Sequence, residues 1–247
     1  MLKSSNIHIM SNSLLKASKV LRRDFNELEM LQNSKTGTDN FVNSSVRTIK
    51  ELINSDLVKA RPELGLYYVE ENSSKPITPT KDNYFIITPV SGIKNYSKGI
   101  SYFATSIALI NNNDVIASVI YDPIKDEMFY SEKGKGAFIN NSRIRVSSNK
   151  DITKSVLVFE RADLIQGFID KNITSDNNNI RVFGSICLDL ANTASGRIDG
   201  YLSDNLNDVK LSAGLLILRE SGGIKVDLSQ SNYSVMTNNL LAESFKG

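Results

Sequence analysis

The chain has 247 residues, 40% of them hydrophobic, so it is long enough to bury a sizeable core and is not expected to be disordered. Its 29 Lys and Arg against 27 Asp and Glu leave a net charge of +2, which argues against a surface built to follow a nucleic-acid backbone. The chain has one cysteine, Cys187, and one histidine, His8, which are too few for a Cys/His zinc site and leave a single candidate histidine for a Ser-His-Asp triad. Any hydrolytic chemistry would depend on carboxylates and hard metal ions.

Composition also predicts the compartment. The N-terminal segment MLKSSNIHIMSNSLLKAS lacks the continuous apolar stretch of a signal peptide, and a single cysteine cannot form an internal disulfide. No apolar run approaches the ~20 residues that a membrane helix needs. We therefore expect a cytoplasmic protein with no membrane partner and no direct binding to nucleic acid.

The first elements along the chain are predicted to be helices. Apolar residues recur at spacings of three and four over residues 11–33 and again over residues 46–57. The segment NSKTGTDN, residues 33–40, predicts a turn between them, and Pro62 ends the second helix. LYYV, residues 66–69, then predicts a short strand.

From Tyr84 onward the pattern changes to short strands separated by turn residues, beginning with YFIITPV, which predicts an antiparallel sheet. Beyond residue 148 strands and helices alternate: SVLVFE, IRVFGS and IDGYLS predict strands, and ADLIQGFIDK and residues 185–195 and 209–220 predict helices. We predict an α+β half over residues 1–147 and an α/β half with a smaller mixed sheet over residues 148–247. The halves are expected to pack as one compact unit.

Three segments in a fixed order carry a family resemblance. They are YDPIKDEMFYSEKGKGAFINN (121–141), GSICLDLANTASGRIDGYLS (184–203) and SAGLLILRESGG (212–223). Together they resemble the inositol monophosphatase family over nearly the whole chain, and its bacterial SuhB branch in particular. The resemblance implies a layered α-β-α-β-α sandwich, a homodimer, and, in active members, magnesium-dependent hydrolysis of inositol phosphate or a similar sugar phosphate by two metal ions.

Most of the acidic residues that the resemblance calls for are replaced in this chain. Glu70, followed by Glu71, matches a metal-ligating glutamate. The segment 88–95 keeps the proline, glycine and asparagine of an Asp-Pro-Leu-Asp-Gly-Thr-Thr-Asn motif but neither aspartate. The degenerate catalytic positions, which hold magnesium weakly or not at all, are Val46, Thr88, Ser91, Ile93 and Lys210.

One metal-ligand assignment has an alternative. Counting back from Gly222 without a gap places Lys210 at an aspartate position, whereas a small shift nominates Asp208. We favour Lys210 and expect its ammonium to pair with Glu70 in place of the missing ion. No cofactor is expected, although the family uses Mg²⁺.

Part of the substrate site is expected to remain. The turn at Gly92, Ile93 and Lys94 should still open a helix whose free N–H groups bind a phosphate-type anion. The family's substrate-contacting glutamate corresponds to Ser203, so inositol recognition is expected to be weakened.

Three functions follow from these residues. The first is a binding or regulatory protein that has lost phosphomonoesterase activity, with a possible protein partner. The second is an enzyme that keeps a rearranged metal site of Glu70, Glu71, Asp208 and Asp122, although Asp122 before Pro123 is better explained as a turn residue. The third is a SuhB-like factor associated with the transcription machinery or RNA.

Overall fold

The structure is a computed structural model that describes residues 3–31, 35–70, 77–169, 179–204, 208–228 and 233–245. The helices in these residues are α1 (Ser5–Leu31), α2 (Lys35–Ala60), α3 (Ile93–Ser97), α4 (Asp163–Ile169), α5 (Ile186–Ala194), α6 (Asp208–Glu220) and α7 (Asn239–Ala242). The strands are β1 (Gly65–Tyr68), β2 (Asn83–Ser91), β3 (Ala104–Asn111), β4 (Asp114–Asp122), β5 (Glu127–Glu132), β6 (Ala137–Ile139), β7 (Ser142–Ile144), β8 (Leu157–Phe159), β9 (Ile180–Arg181), β10 (Gly200–Asp204), β11 (Gly223–Asp227) and β12 (Tyr233–Asn238).

Two long amphipathic helices open the chain, as the spacing of apolar residues predicted. In α1, Leu14, Leu21 and Leu28 recur every seventh residue and are fully buried. The turn predicted at residues 33–40 is wrong for residues 35–40, which already belong to α2. From Val42 onward α2 packs in the same core as α1, and helix formation is cooperative, so the helix extends back over residues 35–40. No helix in the described residues is both long enough and apolar enough to cross a membrane.

The larger sheet contains β1 to β7 in chain order, with β1 parallel to β2 and every other pair antiparallel. Side chains of β2 alternate between two cores. Phe85 and Ile87 pack against α1 and α2, whereas Tyr84 and Ile86 pack against α5 and α6. Because both faces are covered, YFIITPV is apolar throughout and does not alternate.

The smaller sheet has the order β11-β12-β10-β8-β9, in which β8, β9 and β10 are parallel and β12 is antiparallel to its neighbours. The smaller sheet is therefore mixed, with both parallel and antiparallel pairs. The sequence reading missed β11, β12 and α7, and the strand predicted at IRVFGS is reduced to Ile180–Arg181. Val182 and Phe183, which follow it, are exposed.

The elements stack in five layers, which confirms the α-β-α-β-α prediction. From one side, α1 and α2 cover the larger sheet, α5 and α6 fill the space between the sheets, and α4 and α7 cover the outer face of the smaller sheet. The two central helices approach closely at Gly214, where a Cβ atom would lie 2.4 Å from Leu190 Cδ1. This middle layer positions the ends of β2 and β8 near the first turn of α5.

Candidate functional site

A small cavity of about 120 Å³ lies where α2, β1, β2 and α3 meet. It is lined by Asn43, Val46, Val69, Glu70, Pro89, Val90 and Ile93. We call it the Glu70 cavity. Three predicted site residues, Val46, Glu70 and Ile93, therefore come together, and most of the side chains around them are apolar.

Glu70 itself is not enclosed. Its side chain is 63% exposed, and its Oε1 accepts a hydrogen bond from Lys50 Nζ at 2.7 Å. Lys50 lies one helical turn after Val46 on α2, and its ammonium also lies 5.6 Å from the centre of the Tyr68 ring. The expected pairing of Glu70 with Lys210 is wrong, because Lys50 on the adjacent helix reaches this exposed carboxylate.

Ser91 is fully buried and joins the larger sheet to α5. Its Oγ accepts a hydrogen bond from the Cys187 N–H at 3.1 Å and lies 3.1 Å from Ser185 Oγ. The Ser185 hydroxyl also lies 3.2 Å from the Ser91 carbonyl oxygen. First-turn amides have no partner within their own helix, so Ser91 caps α5 from a distant strand. Thr88 is buried on the same strand, where its carbonyl accepts a hydrogen bond from Thr105 Oγ1 at 3.3 Å.

A larger cavity of about 320 Å³ opens beside the first turns of α3 and α5 and the carboxyl end of β8. It is lined by Ile93, Lys94, Asn95, Glu160, Arg161, Val182, Phe183, Gly184, Ser185, Ile186, Asp189 and Tyr201. We call it the Glu160 cavity. The turn that leads into it requires glycine at position 92, where φ is 84° and a Cβ atom would lie 2.8 Å from the Tyr102 carbonyl oxygen.

The charged groups of this cavity are of both signs. Lys94 is exposed at its rim, whereas Arg161 donates to Asp163 and to Asp204 at 2.9 Å, and these bonds raise the arginine pKa. Burial raises the pKa of Glu160 to about 7, and the neighbouring Asp204 carboxylate acts in the same direction. A carboxyl group that titrates near neutral pH inside a cavity is a candidate binding group.

Asp189 brings a buried carboxylate to the same cavity. Its Oδ1 accepts a hydrogen bond from the Tyr102 hydroxyl at 2.8 Å, and that hydroxyl accepts one from Asn192 at 3.2 Å. Burial, with the negative charge of Asp189 next, raises the pKa of Tyr102 far above its usual value. The network continues through Arg197, which binds both oxygens of Glu127 at 2.6 Å, and it ties α5 to the larger sheet.

Two further predicted residues, Ser203 and Lys210, lie near Glu160 but do not line the Glu160 cavity. Ser203 is fully buried on β10, and its Oγ has no hydrogen-bond partner within the described part of the chain. Lys210 is half-buried near the start of α6, and its charge lowers the pKa of Glu160, opposing the effect of burial. Lys210 therefore lies within electrostatic range of Glu160.

The alternative metal-binding carboxylates lie apart. Asp208 is 64% exposed and accepts a hydrogen bond from Lys225 Nζ at 2.7 Å. Asp122 accepts the N–H groups two and three residues further along, which confirms its interpretation as a turn residue. Glu71 lies outside the described residues. Within the ranges that are described, no three side chains of Asp, Glu, His or Cys come together as a metal ion would need.

Sequence reasoning missed two charged residues, Lys50 and Glu160. Lys50 follows Val46 by four positions on a predicted helix, so the same face of that helix should have been read as carrying a cation. Glu160 ends the buried strand SVLVFE, and the carboxyl ends of strands in an α/β sheet are where ligands bind. Both signals were present in the sequence.

The five layers define a layered α/β protein with two adjoining cavities at the junction of its two sheets. The profile of the inositol monophosphatase family matches residues 4–247. The chain belongs to the inositol monophosphatase family.

Individual relatives agree with this assignment. The chain is similar to inositol-1-monophosphatase of Mesorhizobium japonicum, with 34% identity over 234 residues that cover 92% of this chain and 87% of the relative. It is also similar to Nus factor SuhB of Pasteurella multocida, with 29% identity over 96% of this chain and 90% of the relative. The crystal structure of extragenic suppressor protein suhB from Bartonella henselae superposes with a TM-score of 0.81 and 32% identity, covering 99% of this chain and 100% of that chain.

Proposed function

We propose that this chain is a ligand-binding member of the family that has lost magnesium-dependent phosphomonoesterase activity. The observation that supports this most directly is the lining of the Glu70 cavity. Val46 and Ile93 stand there at the positions where the family resemblance calls for a water-orienting aspartate and threonine. Neither side chain accepts a proton or a hydrogen bond, so neither can activate water.

The described donor groups do not fit magnesium. Mg²⁺ requires near-octahedral oxygen coordination, and its protein ligands are mainly carboxylates. In the Glu70 cavity the described side-chain oxygens belong to Glu70 and Asn43, and the Glu70 carboxylate is already paired with Lys50. The proposed function therefore does not involve a metal ion.

The Glu160 cavity supports the binding part of the proposal. Lys94 contributes positive charge at the rim, and Ser185 and Ile186 place the N-terminus of the nine-residue helix α5 against the cavity. The positive end of the helix dipole favours an anion at this position, although the Cys187 amide of the same turn already donates to Ser91 Oγ. The Ser185 hydroxyl does not cap its own helix. We infer that a phosphate-type anion binds between Lys94 and the first turn of α5 without a metal.

A phosphatase assay tests the loss of activity. With millimolar magnesium and a broad panel of sugar and inositol monophosphates, we expect no turnover above the buffer rate. The positive control is one variant that restores the family residues: Val46→Asp, Thr88→Asp, Ser91→Asp, Ile93→Thr and Lys210→Asp. Turnover by the natural chain that disappears in Glu70→Ala would contradict the proposal, and a folded control variant that neither binds magnesium nor hydrolyses any substrate would show that the pocket is assigned wrongly.

An amide spectrum tests the anion site. Adding inorganic phosphate without metal should shift the amide signals of Gly92, Lys94 and Ser185, and Lys94→Ala should weaken the response. Lys98→Ala removes the same charge four residues further along, outside the cavity lining, and should leave the response unchanged. Unchanged signals at all three amides in the natural chain would exclude the site.

A second candidate function is a protein-binding role in transcription. The observation that favours it is the 29% identity to Nus factor SuhB over 96% of the chain. The net charge of +2 adds no support for direct binding to RNA. A pull-down from native lysate tests this role. The tagged chain should capture transcription-machinery proteins, and an active inositol-1-monophosphatase used as the control bait should not.

We also propose that the chain forms a homodimer, as the family resemblance implies. Asn95 is hydrogen-bonded to the backbone of Ile100 and of Phe183, and the apolar side chains of Ile100 (52% exposed), Phe183 (37%) and the adjacent Val182 (43%) are exposed. Light scattering should give a dimer mass, and Ile100→Asp should shift it to the monomer. Leu240→Asp, which alters an equally exposed residue on α7, should have no effect.

A further inference from the structure

A third cavity, of about 170 Å³, lies where the beginning of α1 meets the hairpin of β5 and β6. It shares no described lining residue with the Glu70 cavity or the Glu160 cavity. We call it the Lys3 cavity. The side chains in its wall that determine its chemistry are those of Lys3, Ile7, Tyr130, Glu132, Lys135 and Phe138.

Two aromatic rings form much of the apolar wall of this cavity. Tyr130 on β5 and Phe138 on β6 are directly paired in register, so their side chains lie on the same face of the larger sheet. The two rings are stacked, with their centroids 5.3 Å apart and their planes 15° from parallel. Ile7, in the first turn of α1, packs in the same core. The volume of the cavity is close to the roughly 150 Å³ of an apolar cavity that accepts a benzene ring.

Lys3 brings an unpaired positive charge to the cavity. Its Nζ lies 4.7 Å from the centre of the Tyr130 ring, and although the residue as a whole is exposed, partial burial of its ammonium lowers the lysine pKa. Within the described residues Lys3 forms no ion pair, whereas the other two charged groups of the wall, Glu132 and Lys135, pair with each other at 3.0 Å. The cavity therefore has one positive charge in excess, and that charge is partly removed from water.

We propose that the Lys3 cavity binds a small aromatic carboxylate, whose ring packs on Tyr130 and Phe138 and whose carboxylate pairs with Lys3. The anion offsets the cost of holding the ammonium partly away from water, and the two rings gain contact with a flat apolar group. A single excess positive charge matches the single negative charge of a carboxylate better than the nearly double charge of a phosphate group. This site is independent of the proposed function, because it lies outside the two cavities on which that function depends.

Titration of the full chain with benzoate, followed in an amide spectrum, tests the proposal. We expect saturable shifts at Ile7, Phe138 and Gly136, which also lines the cavity, and no shift at Gly92 beside the Glu160 cavity. For a ligand of this size the dissociation constant should be on the order of millimolar. Benzyl alcohol keeps the ring without the charge, and cyclohexanecarboxylate keeps the charge without the aromatic ring. Each should bind about threefold or more weakly than benzoate.

Variants separate the contributions of the charge and of the rings. Lys3→Met removes the ammonium and keeps an unbranched side chain, so it should weaken benzoate binding about threefold or more and leave the binding of benzyl alcohol unchanged. Lys133→Met is the matched control. It removes a positive charge from the same hairpin, where Lys133 pairs with Asp114 outside the cavity lining, and it should leave benzoate binding unchanged. Phe138→Leu should weaken the binding of both aromatic compounds.

The absence of saturable shifts at the three cavity amides would overturn the proposal. Shifts confined to Gly92 would do the same, because benzoate would then bind at the proposed anion site instead. Equal affinity of benzoate for Lys3→Met and the natural chain would overturn the role of Lys3, and cyclohexanecarboxylate that binds as tightly as benzoate would overturn the role of the rings. Lys3 is exposed, so its variant should fold, and the test of the charge does not depend on the stability of Phe138→Leu.

Discussion

Replacing Ser91 by alanine tests its role as a cap for the N-terminus of α5. The substitution removes the oxygen that accepts a hydrogen bond from the buried Cys187 N–H at 3.1 Å. Removing one partner of a buried hydrogen bond costs about 1–3 kcal/mol, and the loss of packing around the missing Oγ atom adds little. Ser185 contributes little to the loss because its hydroxyl still lies 3.2 Å from the backbone carbonyl of residue 91.

Equilibrium urea denaturation measures the effect, followed by the fluorescence of the chain's 9 tyrosines, since it has no tryptophan. We expect Ser91→Ala to lower the midpoint by roughly 0.3–1 M with an unchanged slope. The matched control is Ser13→Ala on α1. Ser13 is as fully buried as Ser91, but its Oγ has no hydrogen-bond partner in the described residues, so its removal should be neutral or stabilising.

Two results would refute this reasoning about Ser91. A loss of less than about 0.5 kcal/mol in Ser91→Ala would mean that the Cys187 amide is satisfied in another way. Equal losses in Ser91→Ala and Ser13→Ala would mean that burial of a serine side chain, and not the cap on α5, determines the change.

Three further predictions concern the layers around the site. Val46→Asp places a carboxylate beside the apolar Glu70 cavity, which raises its folded-state pKa; the variant should therefore match Val46→Thr in urea at pH 4 and be about 1–2 kcal/mol less stable at pH 8. Equal stability of the two variants at pH 8 would count against this position in the cavity. Gly214→Ala should lower the thermal midpoint and cost about 1–3 kcal/mol, because the new Cβ atom would overlap Leu190, and an unchanged midpoint would mean that α5 and α6 are further apart. Lys50→Ala should change the free energy of unfolding by less than about 1 kcal/mol because its partner Glu70 is 63% exposed, and a larger loss would indicate a buried pair.

The sequence predicted most of the layers because their apolar patterns are long or strongly punctuated. The spacing of apolar residues in α1 indicates a helix, and the continuous apolar run of β2 indicates a strand buried on both faces. The five-layer arrangement was predicted from the family motifs. The start of α2 was missed because residues 35–40 have a local preference for turns, whereas the helix that continues through them is stabilised by core residues further along, from Val42 onward. The division of the chain at residues 147 and 148 into two halves stays a prediction.

Side-chain partners were harder to predict than elements. The pairing of Lys210 with Glu70 assumed that Glu70 is enclosed, and exposure depends on how α2 and β1 meet, which one sequence does not reveal. Ser91 was read as a weak metal ligand, and its role as a cap for α5 depends on a contact between residues 96 positions apart. The assignment of individual residues to a degenerate metal site likewise stays a prediction.

Ile93 lines both cavities, so a single apolar side chain belongs to the walls of the Glu70 cavity and of the Glu160 cavity. On the proposed function, this has a consequence for the history of the chain. A reversion at Val46 alone would leave an unpaired carboxylate in an apolar cavity, and one at Ser91 alone would disturb the cap on α5. Each single step back toward a metal site therefore lowers stability before it restores any activity. On the proposed function, the stability of the folded chain therefore opposes a stepwise return to a metal site.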